Sequence, residues 1–285
     1  MRSDFVAFIL THGRPNDVIT HRSLLSAGYT GPLFLVIDNE DETVDEYRRN
    51  FGAENVIVFD KKAMASRIDE ANNFDDRRVI VHARNACFDI AARLGFKFFV
   101  ELDDDYFAFL LRDHPTSGEG RPRAYLIKRM DAVLEAMVEF LETTPALTIA
   151  MSQGGDHIGG FDGIEMKRKA MNSFVCSTEK RFMFSGAVNE DVNNYVRNGS
   201  LGGLFFTFTG LQLNQRETQS RTGGMTDIYL DGGTYVKSFY TVLFAPSSVQ
   251  VGLMGWRSRR FHHLVNWSAA VPKIVPERFR KENEV

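Results

Sequence analysis

Short apolar runs bounded by turn residues alternate with amphipathic stretches through the first hundred positions. Phe5-Val-Ala-Phe-Ile-Leu10 predicts a buried strand, Val18 to Ala27 a helix closed by Gly28, and Leu33 to Ile37 a second strand. A helix from about Thr43 to Phe51 and a strand at Val56-Ile-Val-Phe59 follow. From Val79 to Leu94 apolar residues recur at helical spacing until Gly95, which suits a left-handed cap, and Phe96 to Leu102 reads as the next strand. Farther on, Lys128 to Thr143 reads as a helix and Thr148 to Ser152 as a strand. Phe182 to Ala187 leads into a short helix ending at Gly199, and Leu204 to Leu211 and Tyr240 to Ala245 look strand-like.

Buried strands alternating with helices predict an α/β fold with a mostly parallel central sheet, right-handed crossovers and flanking helices. Such sheets bind ligands beyond the carboxyl ends of their strands, where loops gather and helix N-termini point free N–H groups. The loops at those ends are Thr11-His-Gly-Arg-Pro15, Asp38-Asn-Glu-Asp-Glu42 and Asp103-Asp-Asp105, all polar and charged. No repeat or Pro/Gly/Ser-rich linker divides the chain, so residues 1–285 are expected to form a single domain. Within it, 1–106 is the ligand-binding half, 107–271 the second half and 272–285 a basic tail.

Composition narrows the function classes. The 285 residues are 44% hydrophobic and 25% charged, enough apolar material for a sizeable core and too much for a disordered or collagenous chain. Lys plus Arg total 34 against 37 for Asp plus Glu, so a uniformly basic coat for nucleic acid is excluded, although a local basic patch is not. The longest early apolar run is far too short to span a bilayer, and no small-residue cleavage site follows it. The expectation is therefore a cytoplasmic protein without a membrane partner. Cys87 and Cys176 lack metal or redox spacing and read as buried thiols.

Three consecutive aspartates after a buried strand repel one another and raise one another's pKa unless something neutralises them. In an extended segment Asp103 and Asp105 point the same way and can share one hard divalent cation, although a solvated acidic turn fits as well. Gly154-Gly-Asp-His-Ile-Gly-Gly160 permits close backbone approach to a ligand and sets Asp156 beside His157; a tight turn capped by Asp156 is the plainer alternative.

Ala83-Arg-Asn85 near a helix start, a small-residue face, Gly95, an aromatic strand and Asp103-Asp-Asp105 together resemble nucleotide-sugar glycosyltransferases of the GT-A fold. The ordered resemblance covers about residues 4–106 and continues at single motifs beyond. It implies a UDP-sugar donor held by Thr11, His12, Arg14, Asp38, Arg84, Asn85, Asp103, Asp104, Gly155 and Asp156. It also implies Mn2+ or Mg2+ on Asp103 and Asp105, joined by His262 or His263, only one of which could face the metal from an extended segment. In inverting members the catalytic base lies in an x-Glu-Asp triplet at a helix start. Asn189-Glu190-Asp191 matches, with Asp191 the first choice and Glu190 the second, while an ordinary acidic first helical turn and His157 as base stay open. Arg84 could instead pair with Asp89 or an acidic loop, and His262 and His263 could be structural.

Thr11-His-Gly-Arg-Pro15, Gly154-Gly-Asp-His157 and Asn189-Glu-Asp191 together look like the glycosyltransferases associated with TET/JBP-type dioxygenases in phage DNA-modification clusters. That implies transfer to the hydroxymethyl group of a modified pyrimidine, such as 5-hydroxymethylcytosine, in DNA, within the host cytoplasm. Acceptor contacts would fall to His157, Trp256 and Arg259, with Phe261 and Trp267 as further residues able to wedge or stack. Basic residues cluster at Arg121, Arg123, Lys128 and Arg129, at Lys167-Arg-Lys169, at Arg257, Arg259 and Arg260, and from Lys273 to Lys281. Glycine pairs in Arg221 to Thr234 suit a lid over the donor. A glycan or protein acceptor, or a silent nucleotide- or DNA-binding module, are the competing readings. Oligomeric state does not follow from these residues.

Overall fold

A computed structural model of the chain describes residues 1–71, 77, 79–113, 123–157, 165–216, 236–255 and 259–280. Its first strand, β1 (Phe5–Leu10), is buried along its whole length. Successive side chains of β1 leave opposite faces: Val6, Phe8 and Leu10 join one apolar cluster, and Phe5 and Ala7 another. A strand covered on both faces has no polar side, which is why it reads as a continuous apolar run.

Around β1 the expected units form in the expected order: α1 (Ile19–Ser26), β2 (Leu33–Asp38), α2 (Val44–Phe51), β3 (Val56–Phe59), then α4 (Val81–Arg93) and β4 (Phe98–Asp103), with one short helix that was not expected, α3 (Lys61–Ala65), between β3 and α4. β3, β2, β1 and β4 lie side by side, each pair parallel. Gly28 follows α1 at φ +90°, and a Cβ there would meet the Lys128 carbonyl oxygen at 2.3 Å, so the turn requires glycine on two counts.

The second half adds β5 (Tyr106–Asp113), β6 (Arg123–Leu126), α5 (Met130–Thr143), β7 (Ala146–Ser152), β8 (Met166–Lys167), β9 (Ser173–Ser177), α6 (Glu190–Ser200) and β10 (Leu204–Gln215). The sheet continues β4-β9-β7-β10-β5-β6, with β9 antiparallel to both neighbours and β7–β10 parallel. The architecture is thus α/β around one central sheet, as expected. Beyond it lie α7 (236–244), the hairpin β11 (Val249–Met254) and β12 (Arg260–Val265), and α8 (Trp267–Ala270). Among the described residues no helix is long and apolar enough to cross a membrane.

One expectation is overturned. The run Tyr240 to Ala245, read as a strand, belongs instead to helix α7 and its end. Buried positions there are Ser238, Thr241 and Ala245, a three- and four-residue spacing that a short apolar run hides because two of the three are polar. Strands β5, β6 and β9 have no counterpart in the sequence pattern; β9 pairs with β4 and β5 with β10 across long separations, while β5 and β6 pair at 10 to 16 residues.

Candidate active site

Three loops at the carboxyl ends of β1, β2 and β4 are tied into one crevice by side chains. Thr11 Oγ1 donates to Asp104 Oδ2 at 2.7 Å and lies 2.9 Å from the Tyr47 hydroxyl, which accepts from the Arg14 N–H at 2.7 Å. Arg14 Nη1 is 3.2 Å from Asp104 Oδ1, so both oxygens of the middle aspartate face the β1 loop. Expected as a donor contact, Asp104 is buried and braces that loop instead.

At the end of β2, Asp38 Oδ2 lies 2.8 Å from His12 Nδ1 and 3.2 Å from Lys61 Nζ, and Oδ1 accepts from the Glu40 N–H at 3.1 Å. Burial disfavours the Asp38 carboxylate, but His12 and Lys61 outweigh burial and hold it below the usual range. The same hydrogen bond to Asp38 raises His12, favouring an imidazolium whose ring stays 44% exposed. Asp38 is therefore satisfied internally, and His12 is the part of the pair open to a ligand.

The end of β4 is crowded with negative charge. Burial pushes the Asp105 carboxyl up to about 7, helped by Asp103 and Asp104. Asp103 is likewise raised by burial, although Arg84 opposes it, and Glu101, two residues earlier on the strand, is fully buried and held far above the carboxylate range by burial. Two carboxyls close together at a half-open strand end supply the hard oxygen ligands that a divalent cation prefers. Among the described residues no three His, Cys, Asp or Glu side chains converge as a complete cage. Asp103 and Asp105 thus fit as the protein's share of a shell that phosphate oxygens and water would complete.

Helix α6 begins at Glu190, directly after Asn189, which adopts the left-handed conformation at φ 56°. Burial and the neighbouring Glu190 push the Asp191 carboxyl up to about 7, with Arg84 pulling the other way. Its Oδ1 accepts from the Val192 N–H at 2.7 Å. Lys237 on α7 is near enough for these carboxylates to oppose the lowering that burial imposes on its ammonium.

Several expected roles change. Arg84 is 1% exposed, with Nε 2.9 Å from Glu190 Oε1 and Nη2 3.0 Å from Asp103 Oδ1, so it faces carboxylates rather than a diphosphate; Asp89 pairs elsewhere, with Arg67 and Arg181. Asn85 donates to the Val81 and Phe184 carbonyls and accepts from the Phe184 N–H, so its amide is turned into the fold. Asp156 accepts from the Gln153 N–H at 2.9 Å and pairs with Lys169, while its carbonyl accepts from Lys167: the capped-turn alternative. Gly155 beside it is exposed, with open space where a Cβ would stand. His157 Nε2 lies 3.1 Å from Ser152 Oγ.

His263 Nδ1 lies 3.4 Å from Asn189 Nδ2, which places it at the start of α6, and burial with His262 and Lys237 lowers it to about 4. His262 stacks against it and is lowered by burial too. Arg259 is exposed beside β12; Trp256, Arg257, Arg121, Lys281, Ile158 to Gly160 and the whole glycine-rich segment Arg221 to Thr234 lie outside the described residues. Tyr47, Lys61 and Glu101 are site residues that the sequence reading missed. Glu101 left a signal, a lone acid inside the apolar run Phe98 to Leu102, and Tyr47 another, at i+3 between Val44 and Phe51.

Comparison with known proteins follows from this geometry. Glucosyl-3-phosphoglycerate synthase from Mycobacterium tuberculosis, in complex with Mg2+ and uridine diphosphate, is 8% identical at a TM-score of 0.45, covering 92% of this chain and 88% of that one. TarS 1–349 of S. aureus is 12% identical at a TM-score of 0.39, covering 76% of this chain and 61% of that one. No curated protein matches the chain in sequence. The sequence profile of the TET-Associated Glycosyltransferase family matches residues 5–224, from β1 to beyond β10, and the chain belongs to that family of glycosyltransferases.

Proposed function

We propose that the protein moves a sugar from a UDP-sugar to the hydroxymethyl group of 5-hydroxymethylcytosine in phage DNA, with inversion at the anomeric carbon. The observation that carries this reading is the shared guanidinium of Arg84, which joins Asp103 at the donor-side strand end to Glu190 at the start of α6. Donor carboxylates and candidate base thereby line one crevice.

His12 and Arg14 offer positive charge to the nucleotide, with Asp38 and Asp104 holding them in place. Asp103 and Asp105 would hold Mn2+ or Mg2+, whose charge stabilises the departing diphosphate. Asp191 accepts the proton of the acceptor hydroxyl while that oxygen bonds to the anomeric carbon. The bond from that carbon to the β-phosphate oxygen breaks, and the nucleoside diphosphate leaves with the electron pair. The DNA acceptor is supported by the family's association with TET enzymes and by exposed Arg259 and Arg260 at the second hairpin strand and exposed Lys273, Arg278 and Arg280 after it in the chain. Lys167 and Lys169 drop out of that basic set because both turn onto Asp156.

Calorimetric titration with UDP, first in Mn2+ and then in chelator, tests the donor side; binding that requires Mn2+ is expected. UDP-sugars are then screened against DNA carrying 5-hydroxymethylcytosine, read as a hexose or pentose mass increment on the base. Absence of UDP binding in both conditions overturns the donor assignment, and transfer to a glycan but not to DNA overturns the acceptor.

A further inference from the structure

Arg84 is buried where three elements meet: it sits on α4, Asp103 ends β4 and Glu190 begins α6. Nε and Nη2 each hold one carboxylate, while Nη1 faces Glu101 Oε2 at 3.9 Å. Neither Nη1 nor either Glu101 oxygen has a hydrogen bond among the described residues. The guanidinium lies over the Phe174 ring, 5.0 Å from its centroid, which restrains its plane. Such a cluster is a poor way to gain stability, because desolvating one cation and the two carboxylates bonded to it offsets their attraction, and apolar side chains would pack there at less expense. What the cluster does supply is geometry. A planar fork fixes the directions of its N–H bonds, so two carboxylates bound to it keep a set separation.

We infer that Arg84 is a positioning residue for sugar transfer: it touches neither donor nor acceptor, and sets the spacing between the Asp103–Asp105 turn and the Glu190–Asp191 helix start. The inference rests on the proposed reading of those two motifs.

The test compares Arg84→Gln and Arg84→Lys with wild type by kcat, KM and the pH dependence of kcat/KM, with UDP affinity measured in parallel. Gln removes the charge that favours ionised Asp191, so the acid limb moves up by about one pH unit; misplacing the base by about 1 Å lowers kcat on the order of a hundredfold. Lys keeps the charge, so the limb stays where it is in wild type. A single ammonium cannot span both carboxylates, so kcat stays depressed by about tenfold or more. Full recovery of kcat in Arg84→Lys, or a folded Arg84→Gln with wild-type kcat and limb, overturns the inference.

Should Arg84→Gln fail to fold, Glu190→Gln breaks the same clip with the arginine in place. It is expected to lower kcat comparably and to move the limb toward acid, since Glu190 raises Asp191; unchanged kcat and limb overturn the inference. Active wild type with indifferent variants sinks the clip alone. Wild type that neither binds UDP nor transfers sugar sinks the clip and the proposed function together.

Discussion

Asp191 is a carboxyl surrounded by protein rather than water, beside a second carboxylate, and both effects favour its protonated form. A base must be ionised to accept a proton, so its working fraction is small below pH 7 and grows through the value of about 7 to which it is raised. Transfer at subsaturating substrate is therefore expected to rise with pH across that value and then level off, measured with acceptor concentration held fixed. Asp191→Ala should lower turnover on the order of a hundredfold to ten-thousandfold with UDP binding retained; undiminished turnover would remove Asp191 from the mechanism. Asn189-Glu-Asp191 is recognisable in the sequence as a motif, with Asp191 preferred over Glu190 as base, but the partners of the two carboxylates are not. Only the fold brings Arg84 to Glu190, while Asp191 accepts from the Val192 N–H.

At the scale of elements, α4 separates what a pattern of residues says about shape from what the fold puts opposite their side chains. Its apolar spacing and the glycine after it mark a helix, and Val81–Arg93 is one, with Gly95 at φ +81°. The polar residues at its start look ligand-facing, yet they are buried because the segment 182–188 packs over them. Asn85 bonds the Phe184 backbone through both its carbonyl and its amide. Asn85→Ala is expected to destabilise the fold by about 2 kcal/mol, since it strands a buried N–H and a buried carbonyl. UDP affinity per folded molecule should stay unchanged. Denaturant melts and calorimetry check the two halves of that statement, and a selective loss of UDP affinity would return Asn85 to the donor site. Helix α7 makes the complementary point: with Ser238 and Thr241 on its buried side, its inner face is polar in composition and apolar residues such as Leu243 face out.

Across the whole molecule, a net charge of −3 is no bar to binding DNA, because attraction depends on where the cations lie. Exposed Arg259, Arg260, Lys273, Arg278 and Arg280 follow one another along the final 30 or so residues, roughly a binding face's worth of phosphate contacts. Transfer to duplex DNA is expected to fall steeply as salt rises from about 50 to 200 mM, while transfer to the free hydroxymethylated nucleoside barely changes. Parallel salt curves for the two acceptors would argue for a small neutral substrate and against a DNA-tracking surface.

Local chemistry along the chain was sufficient to determine the β1-to-β4 alternation, the polar loops at the strand ends and the acidic motifs, because each depends on residues close in sequence: apolar runs, glycine turns, adjacent carboxylates. Contacts between distant segments decided the rest. β9 enters between β4 and β7 through pairings some 75 and 25 residues apart, and periodicity carries no record of such partners. Likewise, whether an arginine meets a phosphate or a carboxylate depends on what the fold puts opposite it. For Arg84 the fold supplies Asp103 from 19 residues away and Glu190 from 106, and burial removes the water that would otherwise have let the side chain turn outward.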